Sequence, residues 1–207
     1  MLQETTRYIT VDEFLSGYAE QHAEWVDGEV IVLANNARHN FILEFLIKLF
    51  GLVLDFNQLG ILIVAGVPMR LGEGKSIREP DLMVLLNDHK DRVKETYIDG
   101  RADIAVEIVS PESVARDYGE KFMEYEAAGI PEYWLFDPER EQVFLYALEE
   151  RDGKWVYIRQ PADEQGRIFS RLLPGAYLET RWMLDDSRPQ GAQLVGLAQT
   201  MSGTTAE

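Results

Sequence analysis

Between Asp103 and Ile130 the pattern of apolar and polar positions changes period once, from that of a strand to that of a helix. In the first half, Ile104, Val106 and Ile108 alternate with Asp103, Ala105, Glu107 and Val109, which predicts a strand over 102–109 with Glu107 between apolar neighbours on its own face. In the second half, Asp117 with Glu120 has the spacing of a capping box, and Gly129 followed by Pro131 marks a stop, so a helix is predicted over 117–128. EYWLFDP then reads as a buried strand over 132–137, halted at Asp137-Pro138. Strand, helix and strand make one βαβ unit.

The remaining pattern adds elements on both sides. Thr10 with Glu13 predicts a capped helix running to about Gln21. Asp27-Gly28 predicts a hairpin of strands at 23–26 and 29–34. Asn35-Asn36 are candidate caps for a helix over 37–57. In that helix Asn40, Glu44, Lys48, Gly51 and Asp55 form one narrow polar stripe, so most of its surface is expected to be buried. Strands follow at 61–65, 67–71 and 78–86, then a charged loop or short helix. QVFLYALE and KWVYIRQ predict a hairpin around 150–153, and a last strand pair falls at 167–179. The sum is an α+β fold with an α/β core: a mixed sheet flanked by helices, with an N-terminal hairpin and C-terminal strand additions. One domain is expected over 1–184. Residues 185–207 are polar and Gly-rich and read as a loose tail, with one helical turn near 192–198.

Composition narrows the chemistry. The 207 residues include no cysteine, which excludes disulfides and thiolate metal sites. His22, His39 and His89 lack zinc-ligand spacing, so any metal has to be held by oxygen, which favours magnesium, manganese or calcium. The formal net charge of −16 repels phosphate at long range, and no Lys/Arg run marks a basic patch. The longest apolar run, FILEFLIKLFGLVLDF, is broken by Glu44, Lys48 and Asp55 and is not a membrane span. The N-terminus lacks a signal-peptide pattern, so a cytoplasmic location is expected.

Three residues then stand out. Glu107 lies within a strand, Asp81 opens the apolar run LMVLL after Pro80, and Lys121 lies on the helix after the Glu107 strand. Two carboxylates can hold a hard cation with positions left open for water and a phosphate oxygen, and a nearby cation can orient that water. The backbone carbonyl of Ile108, at the strand end, is a further candidate ligand. Asp117, Lys121 and Tyr125, at i, i+4 and i+8, line one helix face that can lie over Glu107. A structural alternative remains open, in which Glu107 merely pairs with Lys121.

PDLMVL, VEIVSPES and RDYGEKFMEYEAAGIPEYWLFDP resemble the Uma-two family, restriction-endonuclease-like proteins of the PD-(D/E)XK nuclease superfamily. EWVDGEV, His39 and LLPGAYLE match the same pattern, so the resemblance runs from about 8 to 180. It implies a restriction-endonuclease-like core and magnesium- or manganese-dependent cleavage of DNA. Asp81 matches the aspartate of the PD motif and Glu107 the acid of E-x-K. Val109 stands where that motif has lysine, and Lys121 is the expected replacement, assisting the attacking water. Glu24 matches a family acid and is either a supplementary metal ligand or an exposed hairpin acid. His39 reads as a helix-start residue rather than a ligand, and Tyr125, Tyr133 and Trp134 as core packing. By analogy with restriction nucleases a homodimer is expected. The alternatives are an inactive nuclease-fold protein serving as a binding or assembly module, and a dimeric structural protein.

Overall fold

The computed structural model describes residues 8–33, 36–183 and 187–203. Two sheets carry the chain. The larger has six strands in the order β11-β10-β9-β8-β6-β3, from β3 (Gly60–Val64), β6 (Leu82–Leu86), β8 (Ile104–Ile108), β9 (Glu132–Asp137), β10 (Gln142–Arg151) and β11 (Lys154–Arg159). Only β8 and β9 in it run parallel, as the βαβ pattern requires; the other pairs are antiparallel. The smaller sheet, β2-β1-β5-β4-β7, joins β1 (Ala23–Val26) and β2 (Glu29–Val32) to β4 (Met69–Arg70), β5 (Ile77–Arg78) and β7 (Ile98–Asp99). β12 (Arg167–Phe169) and β13 (Tyr177–Glu179) form a separate ribbon.

The alternation in β8 sorts the core. Ile104, Val106 and Ile108 join the cluster under α2 (Ala37–Asn57), with Leu46, Val53, Trp134 and Phe136. Ala105 and Val109 join the opposite cluster, with Tyr125 of α3 (Lys121–Ala128), Tyr133 and Tyr157. The large sheet is thus covered by helices on both faces. The polar stripe of α2 stays at the surface, with Asn40, Glu44, Lys48 and Asp55 exposed. Thr10 forms its capping box with Glu13, and α1 (Val11–Gly17) ends short of the expected Gln21. Asp27 and Gly28 take φ of 48° and 91°, the left-handed conformation a two-residue hairpin turn needs.

Three expectations are corrected. The strand expected over 78–86 is two strands, β5 and β6, which belong to different sheets. Pro80 has no N–H to give a ladder, so Glu79-Pro80-Asp81 becomes the step between the sheets. The Asp117–Glu120 capping box does not form. Ser113 accepts from the Ser110 N–H and donates to Asp117, while 116–120 form a π-turn closed by the Lys121 N–H on the Arg116 carbonyl. The loose tail is replaced, within its described residues, by α4 (Gly191–Met201), whose Leu194, Ala198 and Met201 pack into the α2 cluster. Asn36 caps α2 through His39 N–H at 3.0 Å, whereas Ala34, Asn35, Asp185 and Asp186 lie outside the described residues. Among the described residues no helix is long and apolar enough to cross a membrane.

If α4 is integral to the core, Leu194→Ala should cost about 2–5 kcal/mol of unfolding free energy, the usual range for a buried leucine. Urea unfolding is the measurement; a loss within the error of the fit would mean that the helix is only loosely attached.

Candidate active site

The site is built where the β6–β8 ladder stops. The ladder pairs Leu82 with Val106 and goes no further. Beyond it the Asp81 side chain takes over from the backbone: Oδ2 accepts the Ile108 N–H at 2.7 Å. The N–H and C=O of one strand residue point toward the same edge, so the Ile108 carbonyl faces the edge that β6 has left. Asp81 Oδ1 lies 2.9 Å from His39 Nε2, on the first turn of α2. His39 is a helix-start residue, its N–H capped by Asn36, and its buried ring also reaches the site. His39 Nδ1 has no hydrogen-bond partner. Burial alone would lower the His39 pKa, but the Asp81 carboxylate outweighs it and the net direction is up.

Glu107 projects from β8 toward α3. Its Oε1 accepts from the Tyr125 hydroxyl at 2.8 Å and its Oε2 lies 2.9 Å from Lys121 Nζ. The same ammonium lies 2.8 Å from Glu24 Oε1 and 3.5 Å from Asp117 Oδ1. Lys121, Asp117 and Tyr125 therefore share one face over Glu107, as the spacing predicts. The π-turn widens the backbone at that point, and Tyr133 braces it by donating to the Asp117 carbonyl at 2.9 Å.

Glu24 is not an exposed hairpin acid. It is fully buried on β1, with Oε2 3.0 Å from Arg78 and Oε1 on Lys121. It also accepts the Glu79 N–H at 3.2 Å. Arg78, from β5, spans to Glu124 on α3 through two bonds of 2.7 and 2.8 Å. Glu79 is held by the Ala23 N–H, the Gly66 N–H at 2.6 Å and the His22 ring. Sequence reasoning missed Arg78 and Glu79 as site residues, marked only by their proximity to Pro80-Asp81, whereas Asp117 lies on the helix face its spacing predicts.

Charge separates the acids. Burial raises the Glu24 pKa, but Lys121 and Arg78 outweigh it and hold the group below the usual range. For Glu107 burial dominates; Lys121 opposes it, the charges of Asp117, Asp81 and Glu24 reinforce it, and the pKa stands well above normal. Asp117 is also raised, by burial first, against Lys121 and the Ser113 hydroxyl. Burial would lower Lys121, yet Glu107, Glu24 and Asp117 hold it as an ammonium.

Asp81, Glu107, Ile108, Lys121, His39 and Asp117 line one cavity of about 30 Å³, with Glu79, Ser110, Ser113 and Arg116. That is room for an ion or one to two waters, not for a nucleotide. Glu24 stands behind Lys121 and does not line it. Tyr125, Tyr133 and Trp134, at most 1% exposed, are core residues as expected.

A family model described as "Putative restriction endonuclease", Uma2, matches residues 11–181. The chain belongs to the Uma2 family. An uncharacterized protein of Synechocystis sp. is 27% identical over 164 residues, covering 75% of this chain and 89% of that one. Among solved structures, a "putative nuclease" from Anabaena variabilis superposes with a TM-score of 0.66 at 17% identity, covering 92% of this chain and 99% of that one. The Uma2 protein thus has a nuclease fold, in agreement with the resemblance carried by PDLMVL, VEIVSPES and the α3 segment.

The opposite shifts of Glu24 and Glu107 are testable. Glu24→Gln should cost about 3–5 kcal/mol, because Arg78 and Lys121 are left buried against a neutral group. Glu107→Gln should cost far less. The Glu24 contribution is present above its unfolded pKa near 4.5 and is lost as pH falls. The raised Glu107 pKa acts the other way, eroding stability as pH rises above about 4.5, so Glu107→Gln should flatten the alkaline side of the stability curve. Thermal unfolding of both variants across pH is the check; equal losses would contradict the charge assignment.

Proposed function

We propose that this Uma2 protein hydrolyses DNA phosphodiester bonds with magnesium or manganese as cofactor. The observation that supports this reading is that Asp81, Glu107 and Lys121, from three separate stretches of the chain, line one cavity. Among the described residues no three His, Asp or Glu side chains form a ready-made metal cage. Magnesium uses only one or two carboxylates and takes its other positions from waters and phosphate oxygens, so the donor set fits: Asp81, Glu107 and the Ile108 carbonyl. Glu24 is engaged by Lys121 and Arg78, and its part is to hold the lysine rather than the ion. A bound ion would polarise a phosphate oxygen and make its water a better nucleophile.

The chain's own groups would do the rest. The Ile108 N–H and His39 fix the Asp81 carboxylate in one orientation. Tyr125 fixes Glu107. Val109 is packed in the apolar cluster beneath α3 and leaves the cationic role to Lys121. The Lys121 ammonium, held charged by three acids, would orient the attacking water and stabilise negative charge developing on the phosphate. Cutting both strands needs two sites, so a homodimer belongs to the proposal.

The wild type should cleave duplex DNA in magnesium or manganese, and Asp81→Asn, Glu107→Gln and Lys121→Ala should each lose about 10²-fold or more in rate. Equal rates in all four would reject the assignment. Manganese binding followed by calorimetry should tighten as pH rises, because Glu107 must shed its proton to serve as a ligand. A pH-independent affinity would contradict that role.

One observation favours a second reading. Lys121 is 2% exposed and already surrounded by acids, which suits a purely structural ion cluster in a binding or assembly module. That reading predicts neither cleavage nor manganese binding that depends on Glu107.

A further inference from the structure

We propose that Arg116 is the phosphate-binding residue at the mouth of the cavity, an inference that rests on reading the site as a phosphodiesterase. Arg116 begins the π-turn and lines the cavity together with Asp81, Glu107 and Lys121. Its carbonyl closes the turn on the Lys121 N–H, so its backbone is anchored beside the acids. Unlike Arg78 and Lys121, Arg116 reaches Glu24 only at ion-pair distance, with no hydrogen bond. Glu24 Oε1 is taken by Lys121 at 2.8 Å and Oε2 by Arg78 at 3.0 Å. Arg116 Nε stands 3.7 Å from that same Oε2, an ion pair beyond hydrogen-bond distance, and is a buried donor with no hydrogen-bond partner.

An unpartnered guanidinium N–H is costly to bury, and an anion would satisfy it. Two further facts point to an anion arriving from outside. The Arg116 side chain is 22% exposed against 2% for Lys121, so it meets solvent where the deeper lysine does not. The cavity is also too small for a nucleotide, so a phosphodiester has to present one oxygen inward while its remaining oxygens stay at the rim. A planar guanidinium at that rim matches two phosphate oxygens at once, a geometry that an ammonium does not offer. In a chain of net charge −16 this local cation would offer a phosphate a point of attraction.

The test is the binding of a fluorescein-labelled duplex oligonucleotide, and separately of inorganic phosphate, to the full chain without divalent metal. Arg116→Gln, Arg116→Lys and the control Arg159→Gln, on edge strand β11, are compared with wild type. Arg116→Gln should weaken duplex binding about tenfold and reduce the slope of log affinity against log salt by about one, while Arg159→Gln changes neither. Arg116→Lys should restore the salt slope but only part of the affinity. Thermal unfolding shows whether Arg116→Gln stays folded; if it does not, the Lys variant's salt slope decides. Wild-type affinity and slope in Arg116→Gln, with intact cleavage by wild type, would overturn the inference and leave the proposed activity standing. Failure of wild type to bind or cleave any duplex would overturn both. Phosphate binding lost with Arg116 but no duplex binding would mean a free-anion site and would reject the nucleic-acid assignment.

Discussion

A lysine ammonium buried among three acidic side chains is the constraint on which the rest of this structure depends. Lys121 lies within 2.8 to 3.5 Å of Glu24, Glu107 and Asp117, contributed by the hairpin, the central strand and the π-turn. Moving one charge from water into a protein interior costs several kcal/mol, and only close partners offset it. A shift of any of the three elements takes an acid away from the buried Lys121 ammonium. Arg78 extends the same lock, tying β5 to β1 through Glu24 and to α3 through Glu124. Ion pairing, rather than apolar packing alone, therefore docks the small sheet beside the large one.

Backbone chemistry decides what this lock surrounds. At Pro80 the chain leaves the small sheet and enters the large one, and the missing ladder bond is made good by the Asp81 side chain on the Ile108 N–H. The same step puts Glu79 against the hairpin and a carboxylate at the end of a broken ladder. Strand termination is thus what opens the cavity, and the π-turn is what lets α3 present Asp117, Lys121 and Tyr125 over it. Fold and candidate chemistry share their causes here, which fits a Uma2 protein with a nuclease fold.

Much of this was legible in the chain. The alternation through β8 assigned Ile104, Val106 and Ile108 to one core and Glu107 to the other face, and the spacing of Asp117, Lys121 and Tyr125 aligned them. Other features were not. Only Ile77 is apolar ahead of Pro80, and β5 is two residues long, too short for its period to divide it from β6. Glu24 sits beside a hairpin turn, where acids are usually exposed; only its distant partners Arg78 and Lys121 explain its burial. Asp117 and Glu120 have capping spacing, but the real helix start is set by Ser113, and local pattern does not register that competition. His39 has a helix-start position and a site contact at once, and the second depends on tertiary approach. In α4 the spacing of Leu194, Ala198 and Met201 was a readable apolar face, masked by its polar surroundings.

The proposed function requires this charge-locked pocket to hold one divalent ion between Asp81 and Glu107. A crystal soaked in manganese chloride tests it most directly, through the anomalous difference map. The account predicts a peak at about 2.0–2.2 Å from carboxylate oxygens of Asp81 and Glu107. Lys121 should still bridge Glu24 and Glu107 beside it. A map with no peak at those carboxylates, or with the ion held elsewhere while the Lys121 cluster is unchanged, would contradict it and leave the cluster as structure alone.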